Sequence, residues 1–157
     1  MTASQTSKAQ VSSLYDQDFC LWAEQTARLL QSGRYSEIDL ENLVDEVEDM
    51  SRSEKRALLS NVRVVLMHLL KCKYQPEKHS NSWLSSIREH RTRLHDTFKD
   101  SPSLKRYFQE TFDECYQNAR KQASDETALP LGSFPQEPPF TPDECLNEDF
   151  LPGTLRI

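Results

Sequence analysis

His68 and Cys72 stand four residues apart in an apolar run, the spacing that puts two ligand-type side chains on one face of a helix. Imidazole and thiolate together suit a soft metal, and an imidazole alone suits acid–base work. Carboxylate–histidine sites in helical bundles draw Glu-x-x-His from facing helices. This chain has no Glu-x-x-His, and no second pair of matching spacing follows Cys72. Glu46 and Glu48, at the edges of the preceding acidic helix's apolar stripe, are the carboxylates that could turn inward. His68, Cys72, Glu46 and Glu48 are therefore the candidates for a metal or acid–base site. The pattern favours a half-buried, hydrogen-bonded, structural His68 instead, so no metal, cofactor or catalytic residue is assigned.

The other histidines add little. His79 falls in a loop, His95 on a solvated face, and His90 near a seam with only Glu89 beside it. Three histidines converging from separate helices are neither required nor excluded. Arg91 says more, because it borders a stripe set by Ile87 and Leu94. A buried guanidinium there needs a carboxylate, since an unpaired buried charge costs several kcal/mol. Glu46, Glu48 and Glu54 are the candidates, and with His68, His90 and Arg91 they form the expected interaction or structural polar network. The other reading groups Arg88, Arg91 and Arg93 with Lys71 and Lys73 as an anion site. No Gly-rich phosphate loop accompanies them, and no G-x-S-x-G elbow marks a nucleophile.

The elements that must position these residues are helices. Glycine occurs only three times in 157 residues, and helix formers are plentiful. Residues 1–12 read as a flexible, Ser/Thr/Gln-rich lead-in. Ser13 with Asp16 resembles a capping box opening a first helix, whose inner face carries Tyr15, Phe19, Trp22, Ala23, Thr26, Leu29 and Leu30. Gly33 is its expected stop. Asp39 caps a second helix with the stripe Leu40, Leu43, Val44, Val47 and Met50. Six carboxylates crowd its other faces with no cation among them.

Ser51-Arg52-Ser53-Glu54 reads as a further capping box, so a third helix is expected to start there; one long helix is the alternative. It runs to Gln75 and stops before Pro76. Leu58, Val62, Val65, Leu66 and Leu69 make one apolar face, and Asn61, Val64, Val65, His68 and Cys72 a second, more polar one. A helix apolar on two sides belongs at the centre of a bundle. Ser80 or Asn81 caps a fourth helix, and Ser101-Pro102 starts a fifth that ends near Ala123. Six of the eight prolines lie in 130–152, interleaved with Phe134, Phe140 and Phe150. That composition predicts an extended tail wrapped on the bundle, with one short helix from Pro142 to about Asn147, capped by Thr141.

Charge is segregated along the chain. Residues 1–50 carry a net of −7, residues 51–99 a net of +7, and residues 100–157 a net of −6. Internal ion pairing is the expected use of that pattern. An overall charge of −6 makes nucleic acid an unlikely partner. The four cysteines are far apart, the first residues lack an apolar leader, and the longest charge-free apolar run is far below the ~20 residues that span a bilayer. The expectation is a cytoplasmic protein with reduced thiols and no membrane contact.

Several stretches carry a resemblance. Tyr15-Asp16 and Trp22, NLVDEVEDMSRSEKRALLSNVRVVLMHLLKCKYQP, SWLSSIREHR, PSLKRYF and ETALPLGSFP follow one another in order over nearly the whole chain. Together they resemble the largely cyanobacterial family catalogued as domain of unknown function 29. The resemblance implies a small, mostly helical protein with no assigned activity. It also leads one to expect glycine at Ser51, tryptophan at Cys72 and glutamine at His90.

The expected architecture is all-α: a flexible segment over 1–12, a four- to five-helix bundle over 13–123, and a proline-rich tail over 124–157 packed on its surface as part of the same domain. The preferred function is a non-enzymatic interaction or regulatory protein, with a protein partner or a homodimer using a helix face. The alternatives are a metal-dependent or acid–base enzyme centred on His68 and the second-helix carboxylates, and a nucleic-acid-associated regulator using the basic 51–99 segment.

Overall fold

In the computed structural model residues 2–153 are described, with side chains from residue 8 onward; Met1 and the last four residues of the expected tail lie outside them. Among the described residues the chain is all-α, with six helices and no strand. They are α1 (Thr2–Gln17), α2 (Phe19–Gln31), α3 (Leu40–Tyr74), α4 (Asn81–Asp100), α5 (Leu104–Thr127) and α6 (Pro142–Leu146). Where one bundle is the expectation, the chain gathers into two compact units, Met1–Ser53 and Glu54–Ile157.

The first unit differs from the expectation at its start. Helix begins at Thr2 rather than at Ser13, whose hydroxyl donates to the Gln10 carbonyl within α1. The helix then breaks at Asp18, where a single helix from Ser13 is expected. Asp18 leaves helical geometry at φ −150°, and its carboxylate accepts from the Leu21 amide at 3.0 Å. That bond satisfies one of the orphan donors of a new helix N-terminus. Gly33, at φ +72°, ends α2 as expected. The Gly33 amide donates to Leu30 and the Arg34 amide to Leu29, the paired bonds of a Schellman stop. A small core of Val11, Trp22, Leu29 and Ile38 results, with Leu14, Tyr15, Ala23 and Leu43 packed on it.

The capping box at Ser51 is not used, and α3 runs uninterrupted for 35 residues. Serine costs less in a helix interior than the glycine that the resemblance suggests there, by a few tenths to ~1 kcal/mol. Arg52 also bonds back to Asp49 one turn earlier, tying the two sides of the expected break together.

In the second unit α3 is enclosed. Leu58, Val62, Val65, Leu66, Leu69, Leu70 and Cys72 are each fully buried. Ile87, Leu94 and Phe98 from α4, and Leu104, Phe108, Phe112, Cys115 and Ala119 from α5, complete the core. Ser80 caps α4, accepting from the Trp83 amide. α5 starts at Leu104, after Ser101 has closed α4, and extends to Thr127, four residues past Ala123. The proline-rich segment buries Phe134 and Phe140 against this core, and α6 is opened by a reciprocal capping box between Thr141 and Glu144.

Candidate functional site

In its first part α3 leaves its apolar stripe open. Asp39, itself buried, caps the helix and accepts from the Asn42 amide nitrogen Nδ2 at 2.7 Å. Beyond it Leu40 is 62% exposed, Val44 46%, Val47 56% and Met50 66%. Burial in the bundle is the sequence expectation for this stripe, and none of it is fully buried; Leu43 is half-buried. Among the described residues the small core meets this helix at Leu43 and Glu46, where the Tyr15 hydroxyl donates to Glu46 at 2.6 Å. Val47 and Met50, one turn further along the same face, are exposed. The Glu46 bond and the nearby carboxylates of Asp45 and Asp49 push the Tyr15 phenol up to about 12. Glu48 and Asp49 pair with Arg52 on the surface. Glu41 and Asp45 stay exposed beside the stripe.

The second part of α3 carries a polar cluster set into the core. Lys71, almost fully buried, donates to Glu126 of α5 at 2.9 Å and lies 4.5 Å over the Trp83 ring. Burial pushes the Glu126 carboxyl up, but the bonds from Lys71 and Gln122 outweigh it and hold it below its ordinary value. His68 is half-buried, and its Nδ1 has no hydrogen-bond partner among the described residues. Burial, with Lys71 nearby, lowers its pKa to about 4, so it is a neutral imidazole at neutral pH. His90 shares a 2.7 Å bond with Asn61. Burial raises the Cys72 thiol to about 11, which keeps it protonated and a poor metal ligand.

The proposed pairing of His68 with Glu46 and Glu48 is not formed. Glu46 instead accepts from Tyr15, and Glu48 pairs with Arg52. Glu54 is exposed. Among the described residues no three His, Cys, Asp or Glu side chains group to hold a metal ion.

Arg91 is 1% exposed, and its partners are not carboxylates. Its Nε donates to the Cys145 carbonyl at 2.9 Å, its Nη1 to Phe150 at 2.9 Å and its Nη2 to Glu144 at 3.1 Å. An irregular segment cannot pair its own main chain, so its buried carbonyls must find donors elsewhere. α4 and α5 supply them. Arg120 donates to Phe134, Gln117 to Gln136 and Tyr116 to Pro135, and His95 shares a bond with Leu146. Sequence reasoning looked for an opposite charge and missed this; the available signal was a proline-rich, aromatic tail with no partner strand. Burial lowers the Arg91 pKa, with Glu148 opposing.

The anion site proposed around Arg91 is likewise dispersed. Arg91 gives three N–H groups to main-chain carbonyls, Arg93 pairs with Glu89, Lys71 with Glu126, and Lys73 lies over Tyr74 and Phe140. A cleft of about 340 Å³ is lined by Leu84, Ile87, Leu151, Arg88, Arg91 and Glu148.

The family model described as domain of unknown function DUF29 matches residues 14–151. The chain belongs to this family. No curated protein and no solved structure matches it. The DUF29 match takes in α2–α6 whole, with the α3 stripe, the Lys71–Glu126 cluster and the Arg91 carbonyl contacts, and leaves out most of α1. Among the described residues of this DUF29 protein, no helix is long and apolar enough to cross a membrane.

Proposed function

We propose that this DUF29 protein is a cytoplasmic, non-enzymatic interaction or regulatory protein that docks a basic amphipathic helix of a partner protein on the first part of α3. The observation that carries this reading is the row Leu40, Val44, Val47 and Met50, large apolar side chains open to water along one helix face. Covering such a row releases ~25 cal/mol for each Å² removed from water. Helix-in-groove recognition reads anchors at this spacing. Charge selects the partner: Glu41, Asp45 and Glu48 flank the row, and residues 39–49 contain no cation. A second copy of the same face would set carboxylate against carboxylate, which disfavours the homodimer. All four cysteines are free thiols, in keeping with a reducing compartment.

The test is a titration of a labelled Leu/Lys amphipathic peptide of roughly 14 residues, about 20 Å of helix, followed by fluorescence anisotropy. Saturable one-to-one binding that weakens with salt is expected, together with its loss in Val47→Asp and Met50→Asp and no binding of a Leu/Glu peptide. Equal binding by wild type and Val47→Asp overturns the reading, as does no binding at all. A dimer by light scattering that blocks the peptide assigns the face to a second copy instead.

A further inference from the structure

In the second unit two arginines meet in a cleft of about 200 Å³ between α3 and α5. α3 lines it with Arg56, Leu59, Ser60 and Arg63, which share a face at i, i+3, i+4 and i+7, and α5 adds Glu114, Cys115 and Asn118. Arg63 is half-buried, and its Nε is shut off from water with no hydrogen-bond partner among the described residues. A buried donor left without an acceptor is unfavourable, and a guanidinium donor more so. Neither Arg56 nor Arg63 forms an ion pair with another described residue. The Cys115 thiol contacts the Leu59 carbonyl and adds no negative charge, since burial raises it to about 11.

We propose that this cleft binds a phosphate group, free or carried by a small metabolite. The Arg56 guanidinium, the Nη groups of Arg63, the Ser60 hydroxyl and the Asn118 amide offer more donors than the two oxygens of a carboxylate can accept, and a phosphoryl group presents three. Glu114 refines the choice. A carboxylate lining the same cleft repels a fully ionised oxyanion but can accept a hydrogen bond from the P–OH that a phosphate keeps near neutral pH. Sulfate carries no such proton. The site therefore favours phosphate over sulfate, a preference that net positive charge alone does not produce.

The experiment is calorimetric titration of the full-length protein with inorganic phosphate, sulfate, acetate and glycerol phosphate at constant ionic strength. Wild type is expected to bind phosphate saturably, at least tenfold more tightly than sulfate or acetate. Glycerol phosphate distinguishes the source: binding tighter than inorganic phosphate assigns the site to a phosphorylated metabolite, and weaker binding assigns it to the free ion. Arg63→Gln should lose at least tenfold in phosphate affinity. Glu114→Gln keeps the arginines and should gain sulfate affinity until the two ions bind alike, so a failure of Arg63→Gln to fold leaves the proposal open to refutation. Absence of saturable phosphate binding overturns it, and so does Arg63→Gln binding as wild type or Glu114→Gln leaving the discrimination intact.

Discussion

The two parts of α3 are one helix built to opposite rules. From Leu58 onward most of its side chains are shut away, and Lys71 and Asn61 among them bond to partners on α5 and α4. From Leu40 to Met50 a stripe of similar apolar content is left to water, with the exposed carboxylates of Glu41 and Asp45 beside it. Helical periodicity is equally clear in both. What separates them is what lies alongside: a full core in one unit and, among the described residues, a core of four buried side chains in the other. An apolar face is thus a statement about what a helix can bind, and its covering decides whether that capacity serves stability or recognition.

That contrast can be broken most forcefully at Arg91. Arg91→Ala strands three carbonyls of the C-terminal segment and should cost ~3–5 kcal/mol in urea unfolding. Arg91→Lys should restore little of it, because one ammonium cannot reproduce a fork of three directed donors. Next in size, Leu66→Ala removes a fully buried side chain of the enclosed part and should cost about 3 kcal/mol.

The buried polar cluster gives a pH signature. His68 titrates at about 4 when folded against 6.5 ordinarily, so the unfolded chain takes up the proton more readily. Stability is then full above about pH 6.5 and falls as pH drops toward 4. Lys71 and His90 sharpen this loss, and Glu126 opposes it. His68→Gln should flatten the acid side of a stability–pH curve measured by thermal melting. Smallest of all, Val47→Ala and Met50→Ala in the open part should change stability by no more than ~0.5 kcal/mol. A loss there comparable to that of Leu66→Ala would mean that the stripe is covered within the chain.

Much of this arrangement was legible in the residues. The enclosure of Val62, Leu66 and Leu69 followed from a helix apolar on two sides, Gly33 from the left-handed geometry of a helix stop, and the short helix from Pro142 was expected with Thr141 as its cap. Other features were not legible, for definable reasons. The stripe Tyr15, Phe19, Trp22 keeps helical period across Asp18, so nothing in it announced the break. Serines 51 and 53 offered caps that a continuous helix simply leaves unused. Periodicity located the 40–50 stripe without saying whether anything would lie on it. Arg91 announced a need for acceptors, but main-chain carbonyls more than fifty residues away have no side-chain identity to read. The Arg56–Arg63 cleft passed unnoticed because α3 and α5 had no assigned register.

Amide hydrogen exchange along α3, with and without the Leu/Lys peptide, tests the central claim most directly. In the free protein, amides in 58–72 should exchange only near the limit set by global unfolding, and those in 40–50 faster. The peptide should slow exchange in 40–50 and leave 58–72 unchanged. Uniform protection of the whole helix without peptide, or peptide-induced protection confined to 58–72, would contradict the division of α3 into an open docking face and an enclosed core.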